Sequence, residues 1–162
     1  MRILVASEDQ EFLDYIKKDF NKDYIVDSSY SGDEAVLLSS TCNYDAILVS
    51  SILEDISGLE CCECLRDFSV VSPILYVSEG PDLDEKISSL KKGADTFLTK
   101  PLDIKELDAE IEALHRRSNN YNYQEIHKFG VLHVNLSQKS VKYKNKNLFL
   151  RKKEYEILEF LL

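Results

Sequence analysis

Short apolar runs alternate with longer amphipathic stretches five times over the first 117 residues of this chain, and that alternation limits its folds more than any other feature. The runs predict strands at Arg2–Ala6, Tyr24–Asp27, Ala46–Ser50, Ile74–Val77 and Thr96–Thr99. The stretches between and after them predict helices over 10–20, 32–41, 58–67, 83–92 and 104–117. Parallel strands need a long crossover, which a helix supplies, and strands buried on both faces read as unbroken apolar runs. The pattern therefore predicts an α/β fold, a five-stranded doubly wound parallel sheet with helices on both faces.

Local signals agree. Ser31 precedes the second helix with Glu34 three residues on, the spacing of a capping box, and Asp103 stands in the same relation to Glu106. Gly93 after Lys92 supplies a left-handed end to the fourth helix.

Past residue 117 the pattern changes. Residues 118–127, beginning Ser118-Asn119-Asn120-Tyr121-Asn122-Tyr123, are polar without helical period and read as a linker. Short alternating runs follow at Gly130–Leu136, Ser140–Tyr143 and Asn147–Leu150, and Lys153–Leu162 has helical apolar spacing. The expected organisation is one domain over 1–117, a linker over 118–127 and the first part of a second domain over 128–162. The last helix is strongly apolar where the chain stops, so we expect a partner for that face and a longer parent protein.

The net charge of -9 is uneven: residues 1–117 carry -13 and residues 118–162 carry +4. The first part should be repelled by nucleic acid, whereas the tail is compatible with it. No run is long enough to span a membrane and no secretory signal opens the chain, so the expected compartment is the cytoplasm. Cys42, Cys61, Cys62 and Cys64 then read as reduced thiols. Cys61-Cys62-Glu63-Cys64 lacks CxxC spacing, and neighbouring cysteines on a helix should point to different faces, so no metal is expected there.

In an open parallel sheet, chemistry gathers beyond the carboxyl ends of the strands. Four such ends supply Ser7-Glu8-Asp9, Ser50, Ser78 and Lys100-Pro101. Carboxylates, hydroxyls and a lysine at one rim suit an oxyanion or a metal-bound phosphate.

Those residues also carry a family resemblance. Ile3-Leu4-Val5-Ala6-Ser7-Glu8-Asp9, Tyr44 to Ser50, Pro73 to Ser78 and Gly93 to Pro101 resemble receiver domains of two-component response regulators. Phe129 to Val134 and Leu150 to Tyr155 resemble the start of the winged-helix output domain of the OmpR/PhoB class. The resemblance implies a CheY-like fold, a role in transcription regulation, and DNA binding only through the complete output domain. It also places a phosphoacceptor aspartate at Ser50, two metal-holding acids at Ser7 and Glu8, and a proline at Glu54. A one-residue slip using Glu8 and Asp9 would misplace Phe12, the first core position of the first helix. Ser78, Phe97, Lys100 and Pro101 keep the switch positions. Two of three expected carboxylates are missing, so neither Mg2+ nor any other cofactor is expected. Lys100 then needs a partner if partly buried, and Glu8, with Glu54 second, is expected to provide a standing ion pair. Phosphorylation of Ser50 itself would need a kinase or a base, and His115, His127 and His133 all fall late.

The resemblance further implies a dimer face on the fourth helix, fifth strand and fifth helix. Lys86 and Glu106 match one family ion pair. At a second pair the charges are exchanged, Lys92 against Glu110, which would select a homodimer over mixed partners. A third is lost, since Asp95 would face Glu112. Taken together, the sequence predicts a regulator that acts without phosphorylation, as a homodimer, with no catalytic residue and open to a protein partner or small ligand. The competing expectations are a receiver-only interaction adaptor and a conventional phosphorelay member with an unidentified acceptor. An enzyme is not expected, because no GxGxxG, GK[ST] or nucleophile–His pairing is present.

Overall fold

The structure, a computed structural model, describes residues 1–20, 23–124, 126–135, 140–144 and 146–161. Its contacts divide the chain into two compact units, Met1–His115 and Arg116–Leu162.

In the first unit the strands are β1 (Arg2–Ala6), β2 (Ile25–Ser29), β3 (Ala46–Ser50), β4 (Ile74–Ser78) and β5 (Thr96–Thr99). They form one parallel sheet in the order β2-β1-β3-β4-β5. The helices are α1 (Gln10–Phe20), α2 (Gly32–Thr41), α3 (Gly58–Asp67), α4 (Leu83–Lys91) and the first part of α5, which spans Ile104–Gln124. The predicted doubly wound sheet is the observed one.

Strand alternation builds two cores. Ile3, Val5, Leu48, Leu75 and Val77 meet Phe12, Leu13 and Ile16 of α1 and Leu107, Ile111 and Leu114 of α5. Leu4, Ala6, Ile47, Val49, Ile74 and Tyr76 face the other way, onto Ala35 and Val36 of α2 and Cys61, Cys62 and Leu65 of α3. Both Cys61 and Cys62 are fully buried, which corrects the expectation that neighbours would face differently. The buried stripe of a core helix is at least about 100° wide, enough to take two successive residues. Burial pushes the Cys62 thiol up to about 12 and Cys61 further in the same direction.

Among the five helices of this unit, α4 stands apart. Its one buried residue is Ser89, while Leu83, Ile87 and Leu90 are exposed.

Capping follows the sequence in part. Ser31 accepts from the Glu34 amide at 3.2 Å, and Gly93 takes a φ of +110° at the end of α4. The full capping box is at Ser57 and Glu60 of α3, which the sequence reading passed over. Asp103 caps α5 through the Lys105 amide instead of the expected Glu106 spacing.

The stretch expected as an irregular linker is helical as far as Gln124, a correction with a simple cause. Nucleating a helix is costly, but extending one already formed adds a hydrogen bond per residue, so a polar sequence without apolar period can continue it. Position 125 lies outside the described residues, and 126–127 open a strand.

The second unit holds an antiparallel sheet in the order β6 (Ile126–Phe129), β7 (Leu132–Asn135), β8 (Ser140–Tyr143) and β9 (Lys146–Leu148), followed by α6 (Lys152–Leu161). The first strand was not expected, and Leu136 and Leu162 lie outside the described residues. Val134, Val141 and Tyr155 form its small core. Among the described residues no helix is long and apolar enough to cross a membrane.

Candidate functional site

The carboxyl ends of β1, β3, β4 and β5 bring Ser7, Ser50, Ser78 and Lys100 to one rim. Register sets Ala6 beside Val49, Ser50 beside Val77 and Ser78 beside Thr99. Ser7, Ser50 and Ser78 are each at most 2% exposed.

Each serine is treated differently. The Ser7 hydroxyl accepts the Asp9 amide at 3.2 Å. The Ser78 hydroxyl donates to the Glu85 carboxylate at 2.5 Å. The Ser50 hydroxyl is buried with no hydrogen-bond partner, a state that carries a real desolvation cost. The chain also packs tightly behind Ser50. A Cβ on Gly58 would lie 2.2 Å from the Ser50 carbonyl oxygen, so only glycine fits where α3 begins.

Lys100, its side chain 16% exposed, is ion-paired, but to other residues than expected. Its ammonium lies 3.2 Å from Asp9 and 2.9 Å from Glu79, and 4.6 Å above the Phe12 ring. Asp9 reaches it because it caps α1, where one carboxylate oxygen accepts the Glu11 and Phe12 amides at 3.0 and 3.2 Å and the other is left for Lys100. Glu79 directly follows Ser78 on β4, the neighbour of the strand that carries Lys100. Glu8 is exposed, with its amide on the Ile52 carbonyl at 3.5 Å, and the Glu54 amide is held at 3.1 Å by the Tyr30 carbonyl. Neither takes the place of Asp9 or Glu79 beside Lys100. The Phe12 amide above all, with Lys100 assisting against partial burial, holds the Asp9 carboxyl below its ordinary range. Phe12 is in the core, as expected. The Lys100–Pro101 peptide is cis.

Phe97 stacks on Tyr76, ring centroids 5.8 Å apart at 15°. It lines a surface depression together with Pro81, Leu83, Lys86, Pro101 and Glu106. Lys86 and Glu106 thus share the face between α4 and α5. Of the remaining expected dimer-face charges, Lys92 and Asp95 have partners within the chain. Lys92 pairs with Glu63 of α3 at 2.5 Å. Asp95 pairs with Arg66 at 2.9 Å and accepts the Ile74 amide at 2.8 Å, so the charge expected to repel Glu112 is largely neutralised. Glu112 lies near Tyr24, whose hydroxyl donates to Asp108 at 2.5 Å. Glu110 is half-buried one turn after Glu106.

Two acidic residues, Glu79 and Glu85, were missed as site residues, and Asp9, expected at the rim, was passed over as the partner of Lys100. Asp9 was visible as a cap just before the first helix. Glu79 and Glu85 gave no periodic signal, because their roles depend on which strand ends meet. Asp55 was missed as well: it accepts the Gly32 and Asp33 amides at 2.7 and 3.0 Å and ties the loop after β3 to the start of α2.

The response regulator receiver domain model matches residues 3–112. The cell cycle transcriptional regulator CtrA of Caulobacter vibrioides (strain NA1000 / CB15N) is 33% identical over 162 residues, covering 99% of this chain and 70% of the relative. The Francisella response regulator 1452 receiver domain superposes with a TM-score of 0.68 at 30% identity, over 72% of this chain and 98% of that one. DrrB, a Thermotoga maritima OmpR/PhoB homolog, shares the fold over 99% of this chain and 71% of its own, with a TM-score of 0.56 at 23% identity. With its parallel sheet, its lysine and serine at the rim and a family match over most of its length, the chain belongs to the response regulator receiver family.

Proposed function

We propose that this chain is a response regulator that controls transcription without being phosphorylated, its receiver held in one state by internal contacts. The observation that carries this reading is Ser50, a buried, unpartnered hydroxyl at the end of β3 where the family resemblance calls for an aspartate. A neutral hydroxyl needs a general base to become a nucleophile, and the side chain has no hydrogen-bond partner in the fold to serve as one.

The surroundings argue the same way. The residues at the rim do not fit magnesium, which asks for near-octahedral oxygen ligands and is usually held by carboxylates. Ser7 and Ser50 are neutral, and Asp9 is spent on the α1 amides and Lys100. Among the described residues no group of three or more His, Cys, Asp or Glu could hold a metal ion. Lys100, already flanked by Asp9 and Glu79, has no unmatched charge to offer an incoming phosphoryl group.

Output is proposed to pass through the face formed by α4, β5 and α5, by homodimerisation. Lys86 and Glu106 would pair across it, and the exposed Leu83, Ile87 and Leu90 would supply apolar contact. Because Glu63 already holds Lys92, the Lys92–Glu110 pair would set partner choice more than affinity. The four-stranded sheet and α6 are read as the start of a winged-helix output domain, which would bind DNA only when complete. That the similar Caulobacter protein is a cell cycle transcriptional regulator supports this reading. No enzymatic activity, membrane attachment or cofactor belongs to it.

The test is intact-mass measurement after incubation with a small-molecule phosphodonor and magnesium, on the protein and on Ser50→Asp. Neither should acquire a phosphoryl group, since Ser7 still removes a metal ligand from the variant. An adduct on the unaltered protein overturns the reading.

A further inference from the structure

We propose that Glu85 is the latch of this receiver: by accepting both the Ser78 and Tyr76 hydroxyls, it fixes α4 against the sheet and holds the switch serine away from position 50. It deepens the function proposed above and rests on that reading for its consequence at the α4–β5–α5 face; the latch itself is a property of the fold.

Tyr76 and Ser78 stand two residues apart on β4 and so point to the same side of the sheet. Glu85 lies in the first turn of α4, its own amide capped by Asp82 at 3.0 Å. One carboxylate oxygen takes the Tyr76 hydroxyl at 2.7 Å and the other the Ser78 hydroxyl at 2.5 Å. Ser78 also lies 2.9 Å from the Gly80 carbonyl, but a hydroxyl has one hydrogen, and the ionised acceptor is the stronger. That hydrogen is therefore committed to α4. Burial above all, then Glu85, pushes the Tyr76 hydroxyl up, so it remains a donor throughout the physiological range.

The bonds matter because α4 has little else. No apolar side chain of α4 is buried, whereas α1, α3 and α5 each insert several. A helix without an apolar anchor is held by its polar ties, and Glu85 supplies two at one point. Tyr76 carries the tie onward, since its ring stacks on Phe97, which lines the depression between α4 and α5. The state of the face is thus set at Glu85 rather than by charge at the rim.

Hydrogen exchange of the full chain tests this, with no phosphodonor present, so its outcome is separate from the phosphorylation result. Both bonds go to a charged acceptor, the stronger kind, so Glu85→Ala should speed exchange across α4 about tenfold or more. Exchange in α1 and α5 should stay unchanged. Asp84→Ala removes a neighbouring first-turn acid that makes neither bond and should leave α4 exchange within about twofold, separating the latch from a helix-dipole effect. Tyr76→Phe and Ser78→Ala should each release α4 partly, and adding either to Glu85→Ala should change nothing more. Unchanged exchange in Glu85→Ala, an equal rise over the whole chain, or an Asp84→Ala effect as large as that of Glu85→Ala overturns the proposal.

Discussion

Removing the two partners of Lys100 one at a time and then together gives the sharpest stability prediction. Asp9→Asn keeps a side chain that can cap α1, because Asn caps about as well as Asp, and deletes only the charge facing Lys100. Glu79→Gln is close to isosteric. At the observed separations of 3.2 and 2.9 Å the direct attraction at an effective dielectric near 20 is about 5 kcal/mol per pair. Asp9 and Glu79 are 44% and 54% exposed, so solvent and desolvation cancel most of it. Each single change should then cost about 1 kcal/mol. The double variant should cost about 3 kcal/mol, more than the sum, because a largely buried ammonium is left over Phe12 with no carboxylate. Replacing Lys100 by Met in the double variant should recover most of that loss. Urea unfolding followed by circular dichroism measures all four. Additive costs, or no recovery with Met, would show that Lys100 finds solvent as easily as it finds its partners.

Three further outcomes follow from the same contacts. The Asp9 carboxyl sits below its ordinary value of 3.8 in the fold, so its stabilisation is present above that value and is lost as pH falls through the lowered one. The stability gap between the protein and Asp9→Asn should hold steady from neutrality to the upper edge of that window and close below it, as acid titration of the two unfolding midpoints will show. Gly58→Ala should cost a few kcal/mol, about 2–3, since its Cβ meets backbone at 2.2 Å and not a flexible side-chain end; thermal unfolding is sufficient to see it. Iodoacetamide at neutral pH should label Cys42 and Cys64 well before Cys61 and Cys62, whose burial raises their thiols. Equal labelling of all four in the folded protein would contradict the packing of α3.

The strands and helices of the first unit were legible because each repeats a physical period. Arg2–Ala6 and Ala46–Ser50 are mostly apolar runs, and α1, α2 and α3 begin and end at the residues expected from their spacing, with Ser31 marking the start of α2. Less legible was anything decided by where chain ends meet in space. Lys100 was expected to be paired, but to Glu8 or Glu54, and the local cap that favours Asp9 was not weighed. Asp9 caps α1 and is thereby aimed back over the rim. Glu79 and Glu85 were invisible, since their importance comes from the neighbours β5 and β4 bring to them. The continuation of α5 past residue 117 was hidden by composition: a polar sequence carries no period, and its helicity comes from the helix it extends.

The central claim is that this receiver reaches its working state without a phosphoryl group. Sedimentation of the protein over a range of concentrations, with and without a phosphodonor and magnesium, tests it most directly. The same dimerisation constant in both conditions is expected, weakened by Lys86→Glu or Glu106→Lys alone and regained when both are combined. Tighter dimerisation in the presence of the donor would contradict the claim.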